Sequence, residues 1–172
     1  MGQRRLILGV IMLILFAACP RFQPEQRKEK PIILVSIAPQ KYFLEQVAGK
    51  DSFNIVVIVP EGQSPHSYEP SPSQLALMSK GVLWFTTGVE FETVLVSKLL
   101  AVAPKLKVID TTRDIQFRRL EAHEHEENEM HESHGEQDNE HEGRDPHVWM
   151  SFANVQIQTR IMSEVLSEHF PQ

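Results

Sequence analysis

Four short apolar runs, each followed by a helix-patterned segment or a turn cluster, constrain this chain most. They are Ile32 to Ile37 (IILVSI), Phe53 to Val59 (FNIVVIV), Val82 to Thr87 (VLWFTT) and Leu106 to Ile109. The first three are apolar almost throughout, rather than alternating apolar with polar. Such strands need cover on both faces. Between them, Gln40 to Ala48 places Tyr42-Phe43 and Gln46-Val47 at helical spacing, and Gly49 is expected to end that helix in the left-handed conformation. Ser71-Pro72 reads as a helix start, with Ser as N-cap and Pro at the first helical position. Phe91 to Val102 carries apolar residues at 91, 94, 95, 99 and 102, and a last helix is expected from Asn154 to Phe170. Strands alternating with helices predict an α/β fold: a four-stranded parallel sheet flanked by helices, built within residues 31–110.

The charge is unevenly placed. The 172 residues carry a formal charge of −6, but Glu121 to Arg144 alone hold nine Glu, one Asp and one Arg, a sum of −9. The remaining 148 residues therefore sum to about +3. No basic stripe outweighs the acid, so the composition excludes a nucleic-acid footprint. The same segment holds five of the eight histidines: His123, His125, His131, His134 and His141. It has no apolar periodicity and cannot bury a core, which predicts a disordered loop over residues 121–144. Its imidazoles and carboxylates suit weak, exchangeable capture of metal ions; His131-x-x-His134 is a possible chelate. The alternative is a solvated acidic linker. The spacing lacks the HExxH pattern of a helical catalytic zinc site.

At the amino terminus, Arg4 and Arg5 precede an apolar run from Leu6 to Ala18, interrupted only by Gly9. Thirteen helical residues reach about 20 Å, short of a hydrocarbon core of roughly 30 Å. Residues 1–19 therefore read as a secretory signal and the mature chain as exported, to the periplasm or the cell surface. The stretch Leu15-Phe16-Ala17-Ala18-Cys19 resembles a bacterial lipobox, with Phe16 where Leu is usual, which makes Cys19 the candidate lipidation site. A plain signal peptide is the alternative. Cys19 is the one cysteine, so no disulfide forms within the chain. Residues 20–30 are charged and Pro-containing and read as a flexible tether.

Two histidines outside the acidic segment carry the candidate chemistry. His66 lies in a turn-rich loop, Glu61 to Pro70 (EGQSPHSYEP), just beyond the second strand. In open α/β sheets, ligands sit at that edge. Prolines on both sides stiffen the loop. His147 lies in Arg144-Asp145-Pro146-His147-Val148-Trp149, where Asp145 is placed to orient the ring. An exposed turn histidine is the bland reading of His66. Trp84 and Phe85 read as core, and His169 as a cation at a helix carboxyl end.

These residues resemble a family. The stretches IILVSIAPQKYFLEQVAGKD, VPEGQSPHSYEPSPSQL, WFTTGVEFE and DPHVWMS look like the amino-terminal half of a metal-specific solute-binding protein of bacterial ABC transporters, the cluster serving zinc and manganese uptake. The joint pattern of Pro-His-x-Tyr-Glu-Pro and a later Asp-Pro-His-x-Trp carries most of this resemblance, which covers residues 31–170. It implies metal ligation by His66 and His147, a two-lobed protein of which this chain is the first lobe, and binding without catalysis. It also implies a membrane permease and a cytosolic ATPase as partners; the lipobox-like stretch separately suggests a lipid anchor at Cys19 as the contact with the membrane surface. The His-rich loop tilts the ion to Zn2+ over Mn2+. Where the family runs Leu-Asp-Pro after the Trp, this chain has Met150-Ser151-Phe152, which is expected to alter the helix start. Two other readings remain: a non-functional or partner-dependent fragment, and a periplasmic zinc buffer working through the loop alone. A metallohydrolase is disfavoured, because catalytic zinc usually takes three protein ligands.

Overall fold

The computed structural model describes residues 29–118 and 144–171. Strand β1 (Ile32–Val35) leads to helix α1 (Ala38–Ala48), then β2 (Asn54–Val57), α2 (Pro72–Met78), β3 (Leu83–Thr86), α3 (Glu90–Val102) and β4 (Lys107–Asp110). A 3-10 turn (Val148–Met150) then precedes α4 (Phe152–His169). All strand pairs are parallel and the order is β2-β1-β3-β4. The chain first moves from β1 to one side of it, then crosses over to build β3 and β4 on the other. The sequence direction therefore reverses at β1, and loops part there at the carboxyl edge of the sheet.

Successive side chains on a strand point to opposite faces, and each face has its own core. Leu34 and Trp84 pack with Met78, Leu95 and Leu99 beneath α2 and α3. Ile33, Val35, Leu83 and Phe85 pack with Leu44 of α1 and with Ile161, Met162, Val165 and Leu166 of α4. This two-sided cover is why the strands lack alternation. Trp84 and Phe85 are fully buried.

The elements lie within a few residues of expectation, and the differences have local causes. Gly49 does adopt positive φ (85°), but with ψ at 142° the chain turns into an extended path rather than left-handed helix. Ser71 caps α2 as expected. Its hydroxyl accepts from the Gln74 amide while its own amide donates to Gln74 Oε1 at 2.8 Å. A helix of seven residues has few internal bonds, so satisfying these end groups matters. The last helix starts at Phe152, two residues earlier than its apolar spacing suggests, because Val148–Met150 closes a tight 3-10 turn directly before it. It is well packed, burying Gln158, Ile161, Met162, Val165 and Leu166. His169 Nδ1 lies 2.9 Å from the Val165 carbonyl and Nε2 lies 2.7 Å from Lys107 Nζ. An ammonium can only donate, so Nε2 accepts and Nδ1 carries the hydrogen; the expected helix-end cation is instead a bridge between α4 and β4. Among the described residues, no helix is long and apolar enough to cross a membrane.

Candidate metal centre

His66 and His147 lie 81 positions apart in numbering but meet at the carboxyl edge of the sheet, with ring centroids 6.1 Å apart. The loop after β2 carries His66. Pro60 accepts from the Gln63 amide at 3.2 Å, and Ser64 Oγ accepts from the His66 amide at 3.3 Å. Farther along, Tyr68 packs edge-on against Phe91, and Glu69 pairs with Lys98 at 3.0 Å. The loop is thus fastened to α3 by one apolar and one ionic contact.

His147 enters from the other side. Trp149 packs against its ring at 5.2 Å between centroids. The Asp145 amide donates to the Arg118 carbonyl at 2.8 Å. Arg118 and Asp145, on either side of residues 119–143, are thus joined next to His147. The Arg144 guanidinium lies over the Phe117 ring at 5.6 Å. Farther out, Arg160 of α4 bonds Asp114 at 2.6 Å, which ties the segment after β4 to that helix.

Each imidazole is backed by a carboxylate. Asp145 Oδ1 lies 2.8 Å from His147 Nδ1 and also accepts from the His147 amide at 3.0 Å. That amide first, and then the imidazole, hold the Asp145 carboxyl below its usual range. Glu90 Oε2 lies 2.6 Å from His66 Nδ1. A carboxylate accepts, so Nδ1 of each ring carries the hydrogen and Nε2 is the nitrogen left to face a metal. Both histidine side chains are about half exposed, at 49% and 46%, so an ion can reach them from solvent. Two imidazoles on one tetrahedral zinc put their centroids about 5 Å apart. The observed spacing needs to close by only about 1 Å. Among the described residues, no group of three or more His, Cys, Asp or Glu is close enough to hold a metal. His123, His125, His131, His134, His141 and Cys19 lie outside the described residues.

Sequence reasoning anticipated Asp145 but missed Glu90 and a second acid, Glu92. Both lie in the Gly-Val-Glu-Phe-Glu run that opens α3, and acids in a first helical turn are a legible signal. Glu92 is buried, at 5% exposure. Its Oε1 accepts from the Thr87 amide at 2.9 Å and its Oε2 from the Gly88 amide at 2.8 Å. Gly88 has φ of 83°, which a side chain would resist. Burial pushes Glu92 up to about 7, outweighing the hydrogen bonds from Ser36 and the turn amides. Beneath the turn, Gln158 Nε2 donates to Thr87 Oγ1 at 3.1 Å, Gln40 Nε2 to the Thr86 carbonyl at 3.3 Å, and Trp84 Nε1 to Ser36 Oγ at 3.0 Å. A buried polar network thus joins β1, β3, α1, α3 and α4 below the histidines.

The raised value sets a sign for stability. The contribution of Glu92 is fully present below its ordinary value of 4.5 and is lost as pH rises through about 7. Denaturant unfolding of the wild type should lose about 2–3 kcal/mol relative to Glu92→Gln between pH 4.5 and 8. A difference that stays flat over that range would contradict the burial cost assigned to this carboxylate.

A parallel α/β sheet with carboxylate-backed imidazoles at its carboxyl edge is the architecture of a small-ligand binding lobe. Residues 33–172 match the family described as zinc-uptake complex component A, periplasmic. The chain belongs to this family of metal-specific solute-binding proteins. It is 32% identical over 168 residues to the zinc-binding lipoprotein AdcA of Streptococcus pneumoniae, covering 96% of this chain and 32% of that protein. It is 30% identical over 172 residues to the manganese ABC transporter substrate-binding lipoprotein PsaA of Streptococcus mitis, covering 96% of this chain and 50% of the other. Among solved structures, a ZnuA deletion mutant with zinc bound superposes with a TM-score of 0.67 at 31% identity, over 83% of this chain and 48% of that one. The chain thus spans about a third to a half of the length of the relatives it matches.

Proposed function

We propose that this chain receives zinc outside the cytoplasmic membrane for an ABC uptake transporter, with His66 and His147 as metal ligands through Nε2. The observation that carries this reading is the pair of carboxylate-backed imidazoles, 6.1 Å apart, at the ligand edge of the sheet. Imidazole favours borderline ions, which supports zinc over manganese, and AdcA and ZnuA are zinc proteins by name and title. Zinc here is cargo, so half-exposed ligands that release it are an advantage. A membrane permease and its ATPase are the partners this role requires. The acidic segment serves as a separate, weaker collector, delivering ions beside His147.

Zinc titration of the full chain, and of a form lacking residues 121–143, tests the division of labour. The shortened form should keep the tightest zinc equivalent, lose several weak ones, and resist competition by manganese. Loss of the tightest site together with the segment would favour a buffer acting through that segment alone. Manganese binding as tight as zinc would remove the zinc assignment.

A further inference from the structure

We infer that Glu92 is a positioning residue of the two-histidine centre: its buried carboxylate holds the turn between β3 and α3 that aims Glu90 at His66, and proton uptake on that carboxylate slackens the hold. The inference rests on the reading of His66 and His147 as metal ligands. Glu92 touches neither ring. It acts through the backbone, taking the amides of Thr87 and Gly88 at 2.9 and 2.8 Å. Two residues after Gly88 comes Glu90, whose carboxylate lies 2.6 Å from His66 Nδ1. The same turn is held from α4 by the Gln158 bond to Thr87 Oγ1 at 3.1 Å, and α4 begins five residues after His147. The gripped turn is therefore bonded both toward His66, through Glu90, and to the helix that follows His147.

The chemistry of the grip depends on charge. An ionised carboxylate accepts at both oxygens, one for each amide. A carboxylic acid has a hydroxyl that donates, so protonation strips one amide of its acceptor. The hydroxyl of Ser36, at the end of β1, already bonds this carboxyl. Charged groups along the groove beside it are Glu90 on the same helix, Asp110 at the end of β4, Arg113, and Arg144. From α4 the turn is met by the uncharged Gln158 amide. Burial brings the titration of Glu92 to about 7, so both charge states are populated near neutrality. An ordinary surface Glu would be fully ionised there.

The test compares zinc affinity of the full chain and of Glu92→Gln by chelator competition from pH 6 to pH 8, with His66→Ala as control. Glutamine imitates the protonated acid, and titration of the ligand imidazoles cancels in the ratio. The wild type should bind about equally at pH 6 and roughly tenfold more tightly at pH 8, the low end of what orienting groups contribute. A ratio independent of pH would overturn the inference while leaving the metal centre intact. A His66→Ala affinity equal to wild type would overturn the metal reading and this inference with it. A second measurement needs no variant. In the metal-free wild type, the Glu92 carboxyl carbon resonance should titrate near 7, and the Thr87 and Gly88 amide resonances should follow it. A Glu92 midpoint below 5, or Thr87 and Gly88 amides blind to it, would refute the proposal.

Discussion

Replacing His66 and His147 together by Ala should remove the tightest zinc site, and each single replacement should weaken it at least a hundredfold. Isothermal titration, backed by chelator competition, is the measurement. Zinc gains most of its affinity from ligand number and from ligands held ready in the right tautomer. Each ring here is oriented by a carboxylate on Nδ1, at 2.6 Å for His66 and 2.8 Å for His147. Removing a ring therefore loses a donor whose orientation was already set. The effect should be specific. Both rings are about half exposed and belong to no core cluster, so thermal unfolding of the double variant should stay within about 1 kcal/mol of wild type. Unchanged zinc binding by the double variant would move the site elsewhere, and the histidines of residues 121–144 would become the leading ligands.

Trp84→Ala should have the largest effect on stability, costing about 3–5 kcal/mol. Trp84 is fully buried in the core beneath α2 and α3, and its indole Nε1 donates to Ser36 Oγ at 3.0 Å. Truncation leaves a large cavity at the centre of the sheet and releases Ser36, which also bonds Glu92. Trp84→Phe keeps most of the volume but loses the donor, and should cost about 1–2 kcal/mol. Urea unfolding of the metal-free chain gives both numbers. An alanine variant destabilised by less than about 1 kcal/mol would mean that the face under α2 and α3 is not the tightly packed core described.

Much of the fold was legible from periodicity. The runs IILVSI and VLWFTT have no polar face, so only a strand covered on both sides can use them, and the helical segments between them supply that cover. Helix boundaries were less legible. The start of α4 at Phe152 follows from the 3-10 turn at Val148–Met150, and nothing in the apolar spacing encodes that turn. His169 shows a similar limit: its partner Lys107 is remote in sequence, so only packing could reveal a bridge in place of a helix-end cation.

The site divides in the same way. His66 and His147 stood out because prolines and polar turn residues mark their loops, and Asp145 because it lies two residues from the ring it orients. Glu90 lies 24 positions from His66, and its role exists only where the loop after β2 folds against the start of α3. Glu92 looks in sequence like any acid at a helix start; burial and two turn amides make it different. The sequence alone therefore determined the strand–helix alternation, the separate −9 segment and the two candidate ligands, because these depend on side-chain type and short-range spacing. The tertiary structure decided the 6.1 Å approach of the rings, the tautomer each carboxylate imposes and the shifted titration of Glu92. Those properties arise from distance and burial between segments that the chain order keeps apart.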